Sequence, residues 1–511
     1  MHIFQNQMIK LFIGESILVV LIMTLNVYVV FIQIISINYA LGQFDPHFTG
    51  NKNVIVNLFE WKWSDIAKEC ENFLQYNGYG AVQTSPPNEN LILPNRPWYE
   101  RYQPVSYILK TRSGNEDDFK DMTKRCNAVG VRIYADAVIN HMAAADGVGT
   151  AGSISSSKAG HFTAVPYGPG DFHERCGINN YQDRENVRNC ELNELRDLNH
   201  AKKYVREKIC DYLNNLVDNG VAGFRIDAAK HMWPEDLYQI IQCVKNLSTA
   251  HGFKPNERPF VYQEVIDLGG ESSKATDYTH IGAILEFKYC SKLSNIFKGN
   301  DKLTYLSGWG VPWGFLDKGI AVVFVDNHDK QREEGHLTYK NSKKYKMANA
   351  FMLAHPYGIP KVMSSYAFDN SFQGPPKDIK HNLLSPITAK NTCGNGYICE
   401  HRWRQVYNMV KFKNLVGDSP ITNWWSNGDQ QIAFSRDKIG FVAFTNWGDL
   451  KAKLQTGLRK GKYCDVISGD VDNGKCTGKT VVVEQDGKAD INLLATDEDG
   501  VLCIHINSRI S

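Results

Sequence analysis

A (β/α)8 TIM barrel, with an irregular insertion after its third strand and an antiparallel β-sandwich at the carboxyl end, is the fold the sequence predicts. Three observations predict it. Past residue 50, short β-branched and aromatic runs alternate with helical periods, which demands a parallel sheet with crossover helices. Eight such strands precede residue 365, and no glycine-rich phosphate turn follows the first, which favours a closed barrel over an open doubly wound sheet. Beyond residue 420 the pattern changes to strands alone.

The elements follow in order. Residues 17–37 form one long apolar run, preceded by Lys10 and followed by the small residues Ala40 and Gly42. Residues 1–40 therefore read as a secretory signal cleaved near Ala40, with an uncleaved type II anchor as the open alternative, because the run could span a bilayer. Either reading sends the chain through the secretory route and predicts a secreted, extracellular protein once the signal is removed. The first strand is expected at 54–59. Ser64 is expected to cap a helix whose apolar positions Ile66, Cys70, Phe73 and Leu74 recur at three- and four-residue steps, closed by Gly78. A strand at 81–84, a helix from 116 to about 128 and a strand at 131–138 come next.

Residues 140–199 hold no convincing helix or strand and are rich in Gly, Ser, Asn and Asp, far beyond the usual strand-to-helix loop, so they read as an inserted subdomain. Strands at 224–227, 260–264, 284–287, 321–326 and 362–364 complete the barrel, with helices at 204–217 and 236–247 between them. The barrel is thus assigned to 41–139 and 200–419. After a helix at 403–416, six strands at 431–435, 440–444, 463–467, 480–483, 490–493 and 501–506 make the sandwich of residues 420–511.

Composition bounds the function. With 57 Lys+Arg against 55 Asp+Glu the net charge is +2, so there is no electrostatic footprint for nucleic acid. Hydrophobic residues at 43% and charged residues at 22% exclude a disordered, collagenous or multi-span membrane chain. Aromatics at 11% suit sugar stacking or ordinary core packing equally. The 12 cysteines lack the two-residue spacing of zinc sites and fit disulfides of an oxidising compartment. The tripeptide Asn246-Leu247-Ser248 is an acceptor pattern for a glycan.

Four strands end in a way that points to chemistry. In a barrel, the carboxyl ends of the strands converge on one face, so polar residues there become neighbours across long sequence distances. Here the ends carry Asp136 to His141, Arg225-Ile226-Asp227, Gln263-Glu264 and Asp326-Asn327-His328-Asp329. Asp227, Glu264 and Asp329 should crowd one pocket with His141 and His328 at its wall. Crowded carboxylates repel, so one should keep its proton near neutral pH, as glycosidic cleavage requires of a general acid beside an ionised nucleophile.

Arg225 shares a strand face with Asp227 and must meet an anion, either a buried Asp such as Asp136 or an inorganic ion. Asn140 and Asp197, at the two ends of the insertion, could offer oxygen to a hard cation. Trp98, Tyr99 and Tyr102 lie in a Pro-punctuated loop where aromatic faces could stack on sugars.

These strand ends, together with Arg96-Pro97-Trp98-Tyr99-Glu100-Arg101-Tyr102-Gln103-Pro104, Gly223-Phe224-Arg225-Ile226-Asp227-Ala228-Ala229-Lys230-His231 and His355-Pro356-Tyr357-Gly358, closely resemble the animal-type α-amylases of the glycoside hydrolase α-amylase family, and look most similar to arthropod, mite-like digestive enzymes. The resemblance spans about residues 45–511. It implies retaining endo-hydrolysis of α-1,4-glucosidic bonds in starch and glycogen, with Asp227 as nucleophile, Glu264 as acid/base and Asp329 as transition-state stabiliser. It also implies substrate contacts from Trp98, Tyr99, Tyr102, Gln103, His141, Arg225, Lys230, His231 and His328.

A calcium site is implied at Asn140, Asp197 and the backbone oxygens of Arg188 and His231. A chloride site is implied at Arg225, Asn327 and Lys361, the last an Arg in vertebrate members. Implied disulfides are Cys70 with Cys126, Cys176 with Cys190, Cys393 with Cys399 and Cys464 with Cys476, leaving Cys210, Cys243, Cys290 and Cys503 unassigned, as candidates for buried thiols. The glycine-rich loop of vertebrate relatives is missing, since Asp329 is followed by Lys330-Gln331-Arg332-Glu333.

A monomer without stable membrane association is expected. Two other functions share parts of the pattern. An inactive ectodomain of a type II membrane subunit would use residues 17–37 as its anchor, and an exo-acting α-glucosidase or glucanotransferase would use the same carboxylates.

Overall fold

The computed structural model describes residues 43–510. The signal or anchor expected at 1–40 lies outside the described residues. Among those described, no helix is long and apolar enough to cross a membrane.

Eight parallel strands close into a barrel: β1 (Ile55–Leu58), β2 (Ala81–Gln83), β3 (Arg132–Ala137), β4 (Gly223–Ile226), β5 (Phe260–Gln263), β6 (Ala283–Leu285), β7 (Ala321–Phe324) and β8 (Ile359–Ser364). Each pairs with its sequence neighbours, and β8 returns to β1. Apart from the half-buried Ile359, every residue in these strands is buried, the signature of a sheet covered on both faces. Register places Asp136 of β3 opposite Arg225 of β4, and Arg225 opposite Tyr262 of β5. Gly223 opens β4 because a Cβ there would meet the Phe260 carbonyl at 2.2 Å, so only glycine lets these strands approach.

Helices cover the outside. The helix Glu116–Ala128 begins with a capping box between Asn115 and Asp118. Lys203–Asp218 buries Val205, Ile209, Leu213 and Leu216 on one face. The first helix, Trp63–Glu69, differs from expectation: Lys62 is its N-cap residue and Ser64 lies inside its first turn, because the Trp63 amide is already taken by the Ser113 carbonyl at 2.9 Å. The helix expected at 236–247 runs over Pro234–Cys243, starting on a proline suited to the first turn.

The insertion is more ordered than its composition suggested. His141–Met142 pairs with Arg196–Asp197, Gly147–Val148 pairs with Ile154–Ser155, and a helix forms at Arg184–Asn189, capped by Asp183. Two-residue ladders and a six-residue helix are too short to leave a periodic trace.

The carboxyl-terminal region contains a four-stranded and a five-stranded antiparallel sheet. The strands of these two sheets beyond the six expected are Ile421–Ser426, half-exposed and interrupted by a bulge, Leu450–Gln455, whose lysines face outward, and the two-residue Arg509–Ile510. Residues such as Phe441, Tyr463, Ile491 and Leu502 fill the space between the sheets. This unit docks on the barrel through Phe434 and Phe444 against Phe351, and through buried Arg436, which donates to the Ala354 carbonyl at 2.6 Å.

Five disulfides are present: Cys70–Cys126, Cys176–Cys190, Cys393–Cys399, Cys464–Cys476 and Cys210–Cys243. The last corrects the reading of Cys210 and Cys243 as candidate buried thiols: neighbouring helices bring them together across 33 residues. Cys290 and Cys503 are buried free thiols.

Candidate active site

The carboxyl ends of the strands open into a cleft of about 670 Å³. Its floor is built on one guanidinium. Arg225 is 1% exposed, and its Nη1 donates to Asp136 Oδ1 and to Asp227 Oδ1, both at 2.6 Å. Its Nη2 lies 2.9 Å from Glu264 Oε1, off the direction of an N–H bond. Arg225 thus meets the buried Asp136 and also two of the three strand-end acids. It lies beneath the cleft, and its direct contacts are with carboxylates.

Asp227 follows β4 and Glu264 follows β5, so adjacent parallel strands deliver them side by side. Glu264 Oε2 accepts from the amide of Ala228, the residue after Asp227, at 3.1 Å. Asp329 completes the trio beyond β7, 3.3 Å from His328 Nε2. Burial raises the Asp227 carboxyl well above the usual range, Glu264 and Asp136 push it further, and Arg225 works against them. Burial and then the charge of Glu264 push Asp329 up to about 7. The trio therefore holds a proton near neutrality.

Trp98, Tyr99, Tyr102, Gln103, His141, Lys230, His231 and His328 all border the cleft. His328 is stacked between Tyr102 and Phe59, with ring centroids 5.0 and 4.9 Å away. Burial lowers its pKa well below the ordinary value, and burial likewise brings His141 down to about 4, so both imidazoles are neutral hydrogen-bonding groups. His141 Nε2 is bonded to the Tyr102 carbonyl at 2.9 Å. Tyr102 directs its hydroxyl to Asp136 Oδ2 at 2.9 Å, which makes it a support for the floor as well as a wall.

Residues beyond the expected set also border the cleft, notably Tyr181, Glu271, Glu333 and Phe372. Phe372 is 66% exposed at the rim, next to Tyr99. Lys230 pairs with Glu271 and lies 4.8 Å from the Tyr181 ring, joining barrel to insertion. A lone aromatic in a loop of Asp, Asn, Ser and Gly carries no sequence signal beyond its type.

Two ion sites can be tested against the donors present. Pairing of His141 with Asp197 brings Asn140 beside Asp197, and the side-chain oxygens Asn140 Oδ1 and Asp197 Oδ1 are buried without a hydrogen-bond partner. The Val187 carbonyl accepts from His231 Nδ1 at 2.9 Å, which sets the backbone of Arg188 near that of His231. Orphaned buried oxygens are what a hard cation satisfies, so this donor set fits calcium. At the other site Lys361 is buried, lowered to about 8 by desolvation and then by Arg225, and donates to Gln83 Oε1 at 3.0 Å. Asn327 commits its Oδ1 to the amides of Asp329 and Lys330, leaving its amide nitrogen as the donor end. Two buried cations and an amide fit an anion.

An acid trio with two members gripped from below, in an open aromatic-walled cleft at the mouth of a TIM barrel, marks the class: a glycoside hydrolase. Known proteins narrow this. The family profile described as the α-amylase catalytic domain matches residues 102–265, and that of the α-amylase C-terminal all-beta domain matches 424–507. An α-amylase of the beetle Tribolium castaneum is 60% identical, covering 92% of this chain and 97% of its own, and one of Tenebrio molitor is 59% identical, covering 92% and 100%. The crystal structure of α-amylase I from the earthworm Eisenia fetida superimposes with a TM-score of 0.85 at 42% identity, over 90% of this chain and 98% of that one. A variant of that enzyme is known in complex with maltohexaose. The chain belongs to the animal-type α-amylase family.

Proposed function

We propose that the protein is a secreted, monomeric α-amylase that cleaves internal α-1,4-glucosidic bonds of starch, glycogen and related oligosaccharides with retention of configuration. The grip of one guanidinium on both Asp227 and Glu264 carries this reading. Two carboxyl groups that share Arg225 are closely spaced, which supports the roughly 5 Å separation of a retaining pair over the 6.5–9.5 Å that admits water between them.

Asp227 attacks the anomeric carbon while Glu264 gives its proton to the departing glucosidic oxygen. The covalent glycosyl ester on Asp227 is then cleaved by water, from which Glu264 takes a proton back. Asp329, at the mouth of the trio, stabilises the positive charge that develops on the sugar ring. Neutral His141 and His328 bind sugar hydroxyls with Gln103, Lys230 and His231, and Trp98, Tyr99 and Tyr102 supply apolar faces. Five disulfides suit the oxidising compartment into which a secreted chain is delivered. The measurement that tests this is NMR of the first product anomer, together with cleavage of starch blocked at its chain ends. An α-anomer and rapid loss of viscosity are expected; a β-anomer, or no action on blocked ends, would overturn the assignment.

Calcium held by Asn140, Asp197 and the Arg188 and His231 carbonyls would neutralise a buried carboxylate and pin the insertion to the barrel. Chelation is expected to lower stability by about 2.7 kcal/mol relative to calcium supplied at about 100-fold its dissociation constant. Thermal melts with and without chelator should show that difference in the wild type and little of it in Asn140→Ala.

Chloride held by Arg225, Asn327 and Lys361 would keep Lys361 charged above its depressed pKa of about 8. Lysine lacks the planar fork of arginine, so a weaker grip is expected than in vertebrate relatives. Activity in chloride-free buffer should fall and recover with added salt, most clearly above pH 8; no response would remove the site.

A further inference from the structure

Remote from the cleft, where the chain leads into the barrel, Asp45, His47 and Glu257 form a group whose ligand atoms lie within 4.8 Å of one another. The His47 side chain is only 2% exposed. Its Nε2 is 2.7 Å from the Arg258 carbonyl, which can only accept, so that nitrogen carries the proton. In the neutral ring, Nδ1 is then a bare lone pair. This buried Nδ1 has no hydrogen-bond partner and faces Asp45 Oδ2 at 3.7 Å and Glu257 Oε2 at 3.8 Å. Three electron-pair donors thus lie within 4.8 Å of one another.

The surroundings hold the donors in place without filling that point. The His47 amide donates to the other Asp45 oxygen at 2.8 Å, and the Lys254 amide donates to Glu257 Oε2 at 2.8 Å. Arg132, the nearby cation, donates to the His47 carbonyl at 3.0 Å and to Asn127 Oδ1 at 3.1 Å, and its guanidinium sits over Phe253 at 4.3 Å. Its charge acts on Asp45 and Glu257 through space, but its hydrogen bonds go to other groups.

We propose that Asp45, His47 and Glu257 bind a divalent transition-metal ion, with zinc as the best match, that ties the segment preceding β1 to the loop preceding β5. One imidazole nitrogen and two carboxylate oxygens suit zinc, whose bonds of about 2.0–2.1 Å put tetrahedral ligand atoms roughly 3.4 Å apart. The separations of 3.7 and 3.8 Å from His47 Nδ1 need a closure of a few tenths of an ångström, and the Asp45 and Glu257 oxygens, which lie within 4.8 Å of each other, close the rest by rotation of the exposed Asp45 side chain. Asp45 has a 56% exposed side chain, which gives the ion an entry path and leaves room for water as a fourth ligand. The donor set differs from the all-oxygen calcium set at Asn140 and Asp197, so the two sites select different ions.

The test is titration of the calcium-loaded full-length enzyme with zinc against a chromophoric chelator, with X-ray absorption of the bound ion. The expected result is one zinc equivalent with a single imidazole nitrogen and otherwise oxygen ligands. Glu257→Gln and His47→Asn should weaken it at least about 10- to 100-fold, the loss typical even of an outer-shell partner. Glu257 is near the surface, so its variant keeps the test valid if His47→Asn fails to fold. Starch cleavage without zinc should be the same in Glu257→Gln and wild type. No zinc uptake, or uptake equal in wild type and Glu257→Gln, would overturn the site.

Discussion

Replacing Asp227 with Asn is expected to lower kcat on starch by on the order of 10⁴-fold or more, the scale reached when a group that forms the covalent intermediate is removed from an otherwise intact site. Asparagine nearly matches the shape of aspartate, and its carbonyl oxygen can still accept from Arg225 Nη1. Glu264 keeps its bond from the Ala228 amide, and Arg225 keeps Asp136. The variant should therefore fold and still bind oligosaccharide, so circular dichroism and binding of a maltooligosaccharide would be close to wild type while turnover is lost. Glu264→Gln should behave differently in one respect: a substrate whose leaving group needs no proton should still react in the first step. Retained starch cleavage in Asp227→Asn would move the nucleophile elsewhere in the trio.

The parts of this site that were legible in the sequence are those set by strand periodicity. Arg225 and Asp227 are two residues apart and share a face, and parallel strands of a barrel deliver their last residues to one rim, so Asp227, Glu264 and Asp329 could be placed together from spacing alone. Much of the remaining assignment rests on resemblance, including Gln103, the backbone oxygens of Arg188 and His231, and Asn327 and Lys361, whereas Asn140, Asp197 and Arg225 are legible from their positions. What stayed hidden depends on tertiary placement. The bond between Cys210 and Cys243 needs the packing of two helices, and Phe372 reaches the cleft from a loop without periodicity. The strand Leu450–Gln455 alternates apolar and polar residues, but the turn residues crowding its flanks mask so short a run. Ser64 looked like a helix cap, but the Ser113 carbonyl holds the neighbouring amide and the helix starts two residues earlier. Local preference yielded to a long-range hydrogen bond.

Arg225→Leu is expected to be the most damaging single change to stability. It removes the guanidinium that touches Asp136, Asp227 and Glu264 together, and Asp136 is fully buried. Breaking a buried ion pair from one side costs about 3–5 kcal/mol, because the partner is left charged and unpaired. Asp136 and Asp227, both already raised by burial, can escape part of that cost by taking up protons, so their pKa values rise further above those of the unfolded chain.

The sign of the pH dependence follows. Over the range where the folded trio holds protons that the unfolded chain has released, stability falls as pH rises. The deficit of Arg225→Leu should therefore be smaller near pH 5 than near pH 8, and urea unfolding at both values would measure it. Activity should respond in the same direction: Asp227 must be ionised to attack, so the acid limb of kcat/KM should move to higher pH. Arg225→Lys places one compact charge where a planar fork met three acids, and it should recover part of the stability but leave the acid limb displaced. A leucine variant as stable at pH 8 as at pH 5 would mean that these acids are ionised in the folded variant without Arg225, and that the guanidinium is not what keeps Asp227 ionised.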